Sequence, residues 1–396
     1  MNLDQHAGGR VRPEVAEEIA RLLRDGAGSI GNPSSAHAAG RRARAIVEAA
    51  REEVASLVGA RAAEVVFTSG ATESNAAVVA QASREGAHLV STSIEHASVL
   101  RALDVARERG ASVTLVSPDG EGRVAPERFA GAVRSDTALA SIAWANGEIG
   151  TVQAVGEVAA RVRAVAPGAL LHSDAVQAVA TQEVDFAASG LDALSFAGHK
   201  LGGLPGVGAL VLRSGVPLRP LLPGGAQERG RRAGTENVFG IASFGVAARL
   251  ARQERLDFRR RATGLVERLW QGVFGACAPV ARLGARDGIP TVLALAFPGL
   301  RGDALVAALD LSGIEASTGS ACAAGGSEPS HVPLAIGLPA DVARGVIRLS
   351  FGHDLDEAAV DRTIRVLAEA VERARAGARS PSPGVPGRAS GATRAA

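Results

Sequence analysis

From Glu64 onward the chain alternates between short apolar runs and longer stretches whose apolar residues return every three or four positions. The runs fall at residues 65–67, 89–90, 113–116, 139–144, 170–171 and 194–196, most of them separated by helix-length amphipathic segments. Runs this short, without clean polar alternation, suit strands covered on both faces. The pattern therefore predicts a mostly parallel sheet clad in helices, an α/β fold. An amphipathic helix is predicted over 41–58, where Ile46, Ala50, Val54 and Leu57 recur at helical spacing. In such a sheet ligands gather beyond the carboxyl ends of the strands. The polar residues able to do chemistry fall at those ends: 69–72, His96, Asn146, Asp174 with Gln177, and His199 with Lys200.

A further strand is predicted at 207–212, then a loop at 224–237 and a long helical region at 238–274. After that the rhythm changes. Strands at 291–297, 314–317 and 346–351 and helices at 303–311 and 356–375 predict a small α+β unit with a mixed sheet. The expected division is a large domain over 14–255, a small domain made from 1–13 and 256–375, and a tail over 376–396. The tail is rich in Pro, Gly, Ser, Arg and Ala without apolar periodicity, the composition of a disordered segment. Residues 1–13 are irregular and are expected to lie against another part of the fold.

Composition narrows the function. The formal net charge is only +2, so no basic field points to direct nucleic-acid or anionic-membrane binding. No apolar run approaches the roughly 18 residues of a membrane helix, and Met1-Asn2-Leu3-Asp4 does not open a signal peptide, which makes the cytoplasm the expected location. Two cysteines supply neither a disulfide framework nor a zinc site. Cys277 has apolar neighbours and reads as inert core. Cys322, among glycines and small residues, is either an exposed reactive thiol or a cysteine merely tolerated there.

Of 43 basic residues, one is lysine and 42 are arginine. Surface ion pairs and phosphate contacts can all be made by arginine, whose guanidinium stays protonated at any working pH. An amine that must lose its proton and form a Schiff base cannot be replaced in that way. Lys200 is therefore the residue on which the chemistry is expected to turn.

Ser69-Gly70-Ala71-Thr72 follows a strand and opens a helix, so its backbone amides and the Thr72 hydroxyl can hold a phosphate or simply cap the helix. Asp174, at another strand end, can keep a pyridine nitrogen protonated or act as a helix cap. Gln177 lies one helical turn later. His96 can stack on a flat ring or serve a structural role. Arg348, inside an apolar strand, needs a carboxylate: a structural partner, or the α-carboxylate of an amino-acid substrate. Phosphate cup, pyridinium partner, stacking imidazole and amine together describe a pyridoxal phosphate site.

These stretches resemble the cysteine desulfurases, of the class V aminotransferase group within the fold-type I pyridoxal phosphate enzymes. The resemblance runs from about Gly31 to Arg375. It rests on Gly31-Asn32-Pro33-Ser34-Ser35, Thr68 through Ser74, Glu95-His96, Glu148-Ile149-Gly150, His172-Ser173-Asp174 and Gly198-His199-Lys200. Glu228-Arg229-Gly230-Arg231-Arg232 with Gly234-Thr235, and Gly319-Ser320-Ala321-Cys322, complete it. It implies a mostly parallel, seven-stranded type of sheet in the large domain. Further, it implies that Lys200 joins the aldehyde of pyridoxal 5'-phosphate and that Ala71, Thr72, His199 and Thr235 hold the phosphate, Thr235 reaching the neighbouring subunit of a homodimer. By the same resemblance Asp174 pairs with the pyridine nitrogen, Gln177 with the ring hydroxyl, His96 stacks and moves protons, and Arg348 holds the carboxylate of L-cysteine. The Cys322 thiolate then takes the substrate sulfur as a persulfide for transfer to a sulfur-acceptor protein, and L-alanine leaves.

The chain departs from the family pattern at several places. The usual Leu-Asp-x-x-Ala-Thr-Thr-Pro reads Leu3-Asp4-Gln5-His6-Ala7-Gly8-Gly9-Arg10. Of the paired asparagines before Glu-Ile-Gly only Asn146 remains, followed by Gly147, which makes Asn146 the expected partial substitute as a cofactor and substrate contact. Ala197 and Ala233 stand where serines are usual. The alternatives are a selenocysteine lyase or other class V enzyme, and a catalytically weakened scaffold in a sulfur-transfer complex.

Overall fold

A computed structural model describes residues 1–25, 31–319 and 328–379. Seven strands form the larger sheet: β1 (Val65–Thr68), β2 (His88–Thr92), β3 (Ser112–Val116), β4 (Thr137–Ser141), β5 (Leu170–Asp174), β6 (Ala193–Ala197) and β7 (Gly208–Leu212). Their order is β1-β7-β6-β5-β4-β2-β3. Only β7 runs against its neighbours; the β6-β5, β5-β4, β4-β2 and β2-β3 pairs are parallel.

The apolar runs lack alternation because both faces of the sheet are covered. Phe67, Val90, Ala140, Leu171, Phe196 and Val211 point to one side. There they pack with residues of α1 (Pro13–Asp25), α2 (Ala38–Leu57), α5 (Pro126–Gly131), α6 (Val155–Val165) and the first half of α7 (Val238–Cys277). Val66, Leu89, Leu139, Ala193 and Leu210 point to the other and meet α3 (Ala71–Ala82) and α4 (Ala97–Glu108). The strand expected over 139–144 occupies Thr137–Ser141 instead, since the chain beyond Ser141 leaves the ladder and runs into the turn that follows.

A second sheet has the order β10-β9-β8, from β8 (Ala281–Leu283), β9 (Val292–Ala296) and β10 (Val346–Ser350), all antiparallel. Its core includes Leu293, Leu295, Ile347 and Leu349 with Leu265, Leu269 and Val273 from the second half of α7. One helix of 40 residues thus serves both cores. The expected strand at 314–317 is reduced to two isolated bridges, Glu315 to Asn2 and Ser317 to Arg348, because the N-terminal segment runs alongside it. That segment is firmly held: Leu3 is buried, its amide donates to the Glu315 carbonyl, and its own carbonyl accepts from the Ser350 amide at 2.7 Å. The last helix runs from Glu357 to Arg379, four residues past its expected end and into the expected tail.

Candidate active site

At the carboxyl ends of β4, β5 and β6 lies a cavity of about 370 Å³. Its wall includes Ala71, Thr72, His96, Asn146, Asp174, Gln177, His199, Lys200 and Arg348, so residues drawn from both sheets meet in one place. Thr235 is not among them; it is exposed on the loop before α7. Cys322 lies outside the described residues, but the chain on either side of it is fixed at the cavity. Ser330 donates to the Glu148 carboxylate at 3.0 Å, a side chain at Gly319 would come within 3.0 Å of the same carboxylate, and Glu148 lines the cavity.

The helix α3 begins at Ala71 immediately after β1, aiming unpaired backbone N–H groups and the positive end of its dipole at the cavity. Two glycines make the approach possible. A Cβ at Gly208 on β7 would lie 2.6 Å from the Gly70 backbone, and a Cβ at Gly198 would lie 2.9 Å from the Phe244 ring of α7. Only residues without a side chain let strand and helix close up so tightly around the start of α3 and around the turn that carries His199 and Lys200.

Asp174 is buried at the end of β5 and oriented from two directions. Its Oδ2 accepts from the Asn75 amide at 2.7 Å and its Oδ1 from the Val176 amide at 3.0 Å. Asn75 gives its other Nδ2 hydrogen to Ser98 Oγ at 2.9 Å, and Ser98 Oγ stands 2.7 Å from His96 Nδ1. The Ser98 backbone amide also donates to His96 Nδ1. That nitrogen is therefore an acceptor, and the neutral ring carries its proton on Nε2. His96 thus caps α4 as well as facing the cavity. Asn75 escaped the sequence reading, although its place one turn after Thr72 puts it on the same helix face.

Beneath this chain sits Glu95, fully buried, its Oε1 accepting from the Thr92 hydroxyl at 2.6 Å and the Ala143 amide at 3.0 Å. Burial raises its carboxyl to about 8, against those two hydrogen bonds, and the nearby Asp174 charge adds to the rise. His199 is lowered to about 4 by burial and then by the Lys200 charge, and its Nδ1 is buried with no partner among the described residues. Lys200 Nζ donates to the carbonyls of His6 and, at 3.1 Å, Ala7.

Arg348, buried on β10, donates from Nη2 to Asp4 Oδ1 at 2.6 Å, the structural partner that an arginine in an apolar strand requires. Its Nε is also buried, with no partner among the described residues, and the residue itself lines the cavity. Asn146 lines the cavity and also shapes a turn: its Oδ1 accepts from the Glu148 and Ile149 amides and its Nδ2 donates to the Ile94 carbonyl. The space beside Gly147 is taken by Gln177, whose Cγ would lie 3.0 Å from a Cβ at 147.

The chain matches the class-V aminotransferase family over residues 1–363. It is 43% identical over 387 residues to an IscS-like cysteine desulfurase of Mycobacterium tuberculosis, covering 94% of this chain and 96% of that one. A solved NifS-like protein superposes with a TM-score of 0.87 at 33% identity, covering 94% of this chain and 99% of the other. A solved SspA in complex with cysteine superposes with a TM-score of 0.78 at 30% identity, covering 88% and 98%. Relatedness of this extent, over both sheets and the cavity between them, makes the chain a member of the class-V aminotransferase family.

Proposed function

We propose that the chain is a cysteine desulfurase that uses pyridoxal 5'-phosphate to convert L-cysteine to L-alanine, leaving the sulfur as a persulfide on Cys322 for a sulfur-acceptor protein. The observation that carries the reading is the meeting of the chain's one lysine with an oriented, buried Asp174 in a single cavity. The cysteine-bound SspA and the desulfurase relatives support the substrate class.

The residues present fit the cofactor. Lys200 would join its aldehyde, and the start of α3 at Ala71 and Thr72, with His199, would hold its phosphate; the orphaned His199 Nδ1 is the kind of buried atom such a ligand satisfies. Asp174 would hold a proton at the pyridine nitrogen, Gln177 would meet the ring hydroxyl, and His96 would lie against the ring. Bound in that way, the cofactor supplies an electron sink for carbanion chemistry. Thr235 would complete the phosphate site of a second copy in a homodimer. Arg348 would receive the substrate carboxylate while Asp4 holds its Nη2. The Lys200 amine, kept near the His6 and Ala7 carbonyls, is the group that would carry protons between substrate atoms. Both described flanks of the Cys322 segment pack on Glu148 at the cavity, which supports delivery of the thiol there. The proposed division is 14–255 and 1–13 with 256–375, and the cytoplasm is the proposed location. Among the described residues no helix is long and apolar enough to cross a membrane.

The test is to purify the protein, record its visible spectrum, and assay alanine and sulfide from L-cysteine with wild type and Cys322→Ser. A cofactor band with alanine in wild type and none in the variant is expected. A cofactor band with no alanine from either protein sinks the desulfurase reading.

A further inference from the structure

His6 belongs to a segment with no regular structure, yet it is one of the most completely engaged side chains at the cavity. Its ring is buried, with Nδ1 2.9 Å from the Gly147 carbonyl and Nε2 3.1 Å from the Thr291 hydroxyl. A carbonyl can only accept, so Nδ1 carries the proton and Nε2 accepts from Thr291. The His6 backbone amide donates to Ser350 Oγ at 3.0 Å. One residue therefore bolts the N-terminal segment to the turn after β4, to the entry of β9 and to the end of β10. Its carbonyl, with that of Ala7, is what the Lys200 amine donates to.

The Ala7 and Gly8 amides after it both donate to the Asp4 carbonyl, which keeps their hold within the segment itself. Gly8 and Gly9 follow, and Gly8 has open space where a side chain would be. Lys200 and His6 also line a second cavity of about 360 Å³, on the side of Arg12 and Phe351. Segment 5–9 and Lys200 thus stand between two spaces, and the clamp on the His6 ring decides whether the carbonyls that receive the amine stay in register. Burial, and then the Arg348 charge with a smaller one from Lys200, lowers the ring to about 3 despite the Gly147 hydrogen bond. The clamp stays neutral and places no added cation beside the amine.

We propose that His6 is a positioning residue for Lys200, its clamped ring holding the two carbonyls that seat the amine. The inference rests on Lys200 being the reactive amine of the proposed function, and its test needs no turnover. Because Lys200 is the one ε-amine in the chain, acylation by acetic anhydride at neutral pH, read by mass spectrometry of the peptide containing it, reports its reactivity directly. The measurement uses the full-length chain freed of bound aldehyde with hydroxylamine. His6→Ala should change the labelling rate by about tenfold or more, the effect of freeing an amine from a hydrogen bond that involves charge. His6→Asn, which keeps a donor where Nδ1 stands but loses the Thr291 contact, should recover part of the way from His6→Ala toward wild type. Thr291→Val, which removes the hydroxyl on the far side of the ring, should move the rate in the same direction as His6→Ala, and it serves if His6→Ala fails to fold. Labelling unchanged in whichever of those two folds, whatever its melting temperature, overturns the proposal. Altered labelling with no recovery in His6→Asn overturns it as well. A protein that produces no alanine but shows this labelling pattern would cost the proposed function and leave the positioning role standing.

Discussion

Asn75 Nδ2 donates to Asp174 Oδ2 at 2.7 Å while its other hydrogen goes to Ser98, so one buried amide links the carboxylate on one wall of the cavity to the imidazole of His96 on another. Losing a hydrogen bond to a charged group costs about 1.5–3 kcal/mol. Asn75→Ala should therefore weaken pyridoxal phosphate binding by roughly tenfold or more. Asn75→Asp should do worse, because a second carboxylate against Asp174 forces one of the pair to hold a proton. The check is cofactor release on dialysis, followed by the visible band. Retention equal to wild type in Asn75→Asp would refute the role given to Asp174.

Arg348 makes a second link, to Asp4, and here two readings of one arginine prove compatible. Nη2 serves the structural pair while the residue also lines the cavity. Arg348→Lys keeps the charge but lacks the planar fork, so it cannot serve Asp4 and a substrate carboxylate together. It should raise the KM for L-cysteine by about tenfold or more, the scale of one charge-assisted hydrogen bond. Asp4→Asn leaves the guanidinium in place and should change KM far less. Initial-rate kinetics on both variants decide: equal effects would make Arg348 a structural residue only.

How much of this was legible in the chain depends on how far each feature reaches. The strand runs of the larger sheet were plain because both faces are apolar, and the polar residues at the strand ends marked the cavity. β8 was invisible: three residues, Ala281–Leu283, carry no period. That Asn146 also shapes a turn was not legible, because a side-chain amide finds such backbone partners only once the chain has turned. His6 gave no sign, since its partners at Gly147, Thr291 and Ser350 lie more than a hundred residues away, and only the folded chain brings them to its ring.

The loop that carries Thr235 is held by a buried ion pair. Glu228 accepts from Arg51 through both oxygens, at 2.7 and 2.8 Å, and also from the Phe67 amide, while the Arg51 guanidinium lies 4.8 Å from the Phe67 ring centre. Glu228 and Arg229 both sit in the left-handed region, at φ of 47° and 58°, a conformation that non-glycine residues adopt only when their surroundings hold them. Removing one partner strands a buried charge and costs about 3–5 kcal/mol. Glu228→Ala should therefore lower the chemical stability measured by urea unfolding by that amount. Arg229→Gly should raise it, since glycine takes the left-handed geometry without strain. A neutral Glu228→Ala would mean that the pair contributes nothing net.

Stability should peak near pH 6.5, and the sign follows from four buried groups. Burial lowers His6 and His172 to about 3 and His199 to about 4, from an ordinary 6.5. As pH falls below 6.5 the unfolded chain takes up these protons first, so stability present above that value is lost toward pH 3. Glu95 acts in the opposite sense. With its carboxyl raised to about 8 from 4.5, the folded protein holds a proton that the unfolded chain has released, and stability falls as pH climbs between those values. Three histidines outweigh one carboxyl below 6.5, and above it Glu95 acts against stability alone among the four. Each unit of pH in that upper window costs about 1.4 kcal/mol at most. The thermal midpoint should thus decline by a few degrees, roughly, between pH 6.5 and 8. Glu95→Gln, an uncharged replacement for a carboxyl that is itself neutral in the folded state, should abolish the decline while leaving the acid limb intact. Calorimetry across pH 5 to 8 on both proteins checks it, and a wild-type midpoint that keeps rising past pH 7 would show that Glu95 is ionised in the fold.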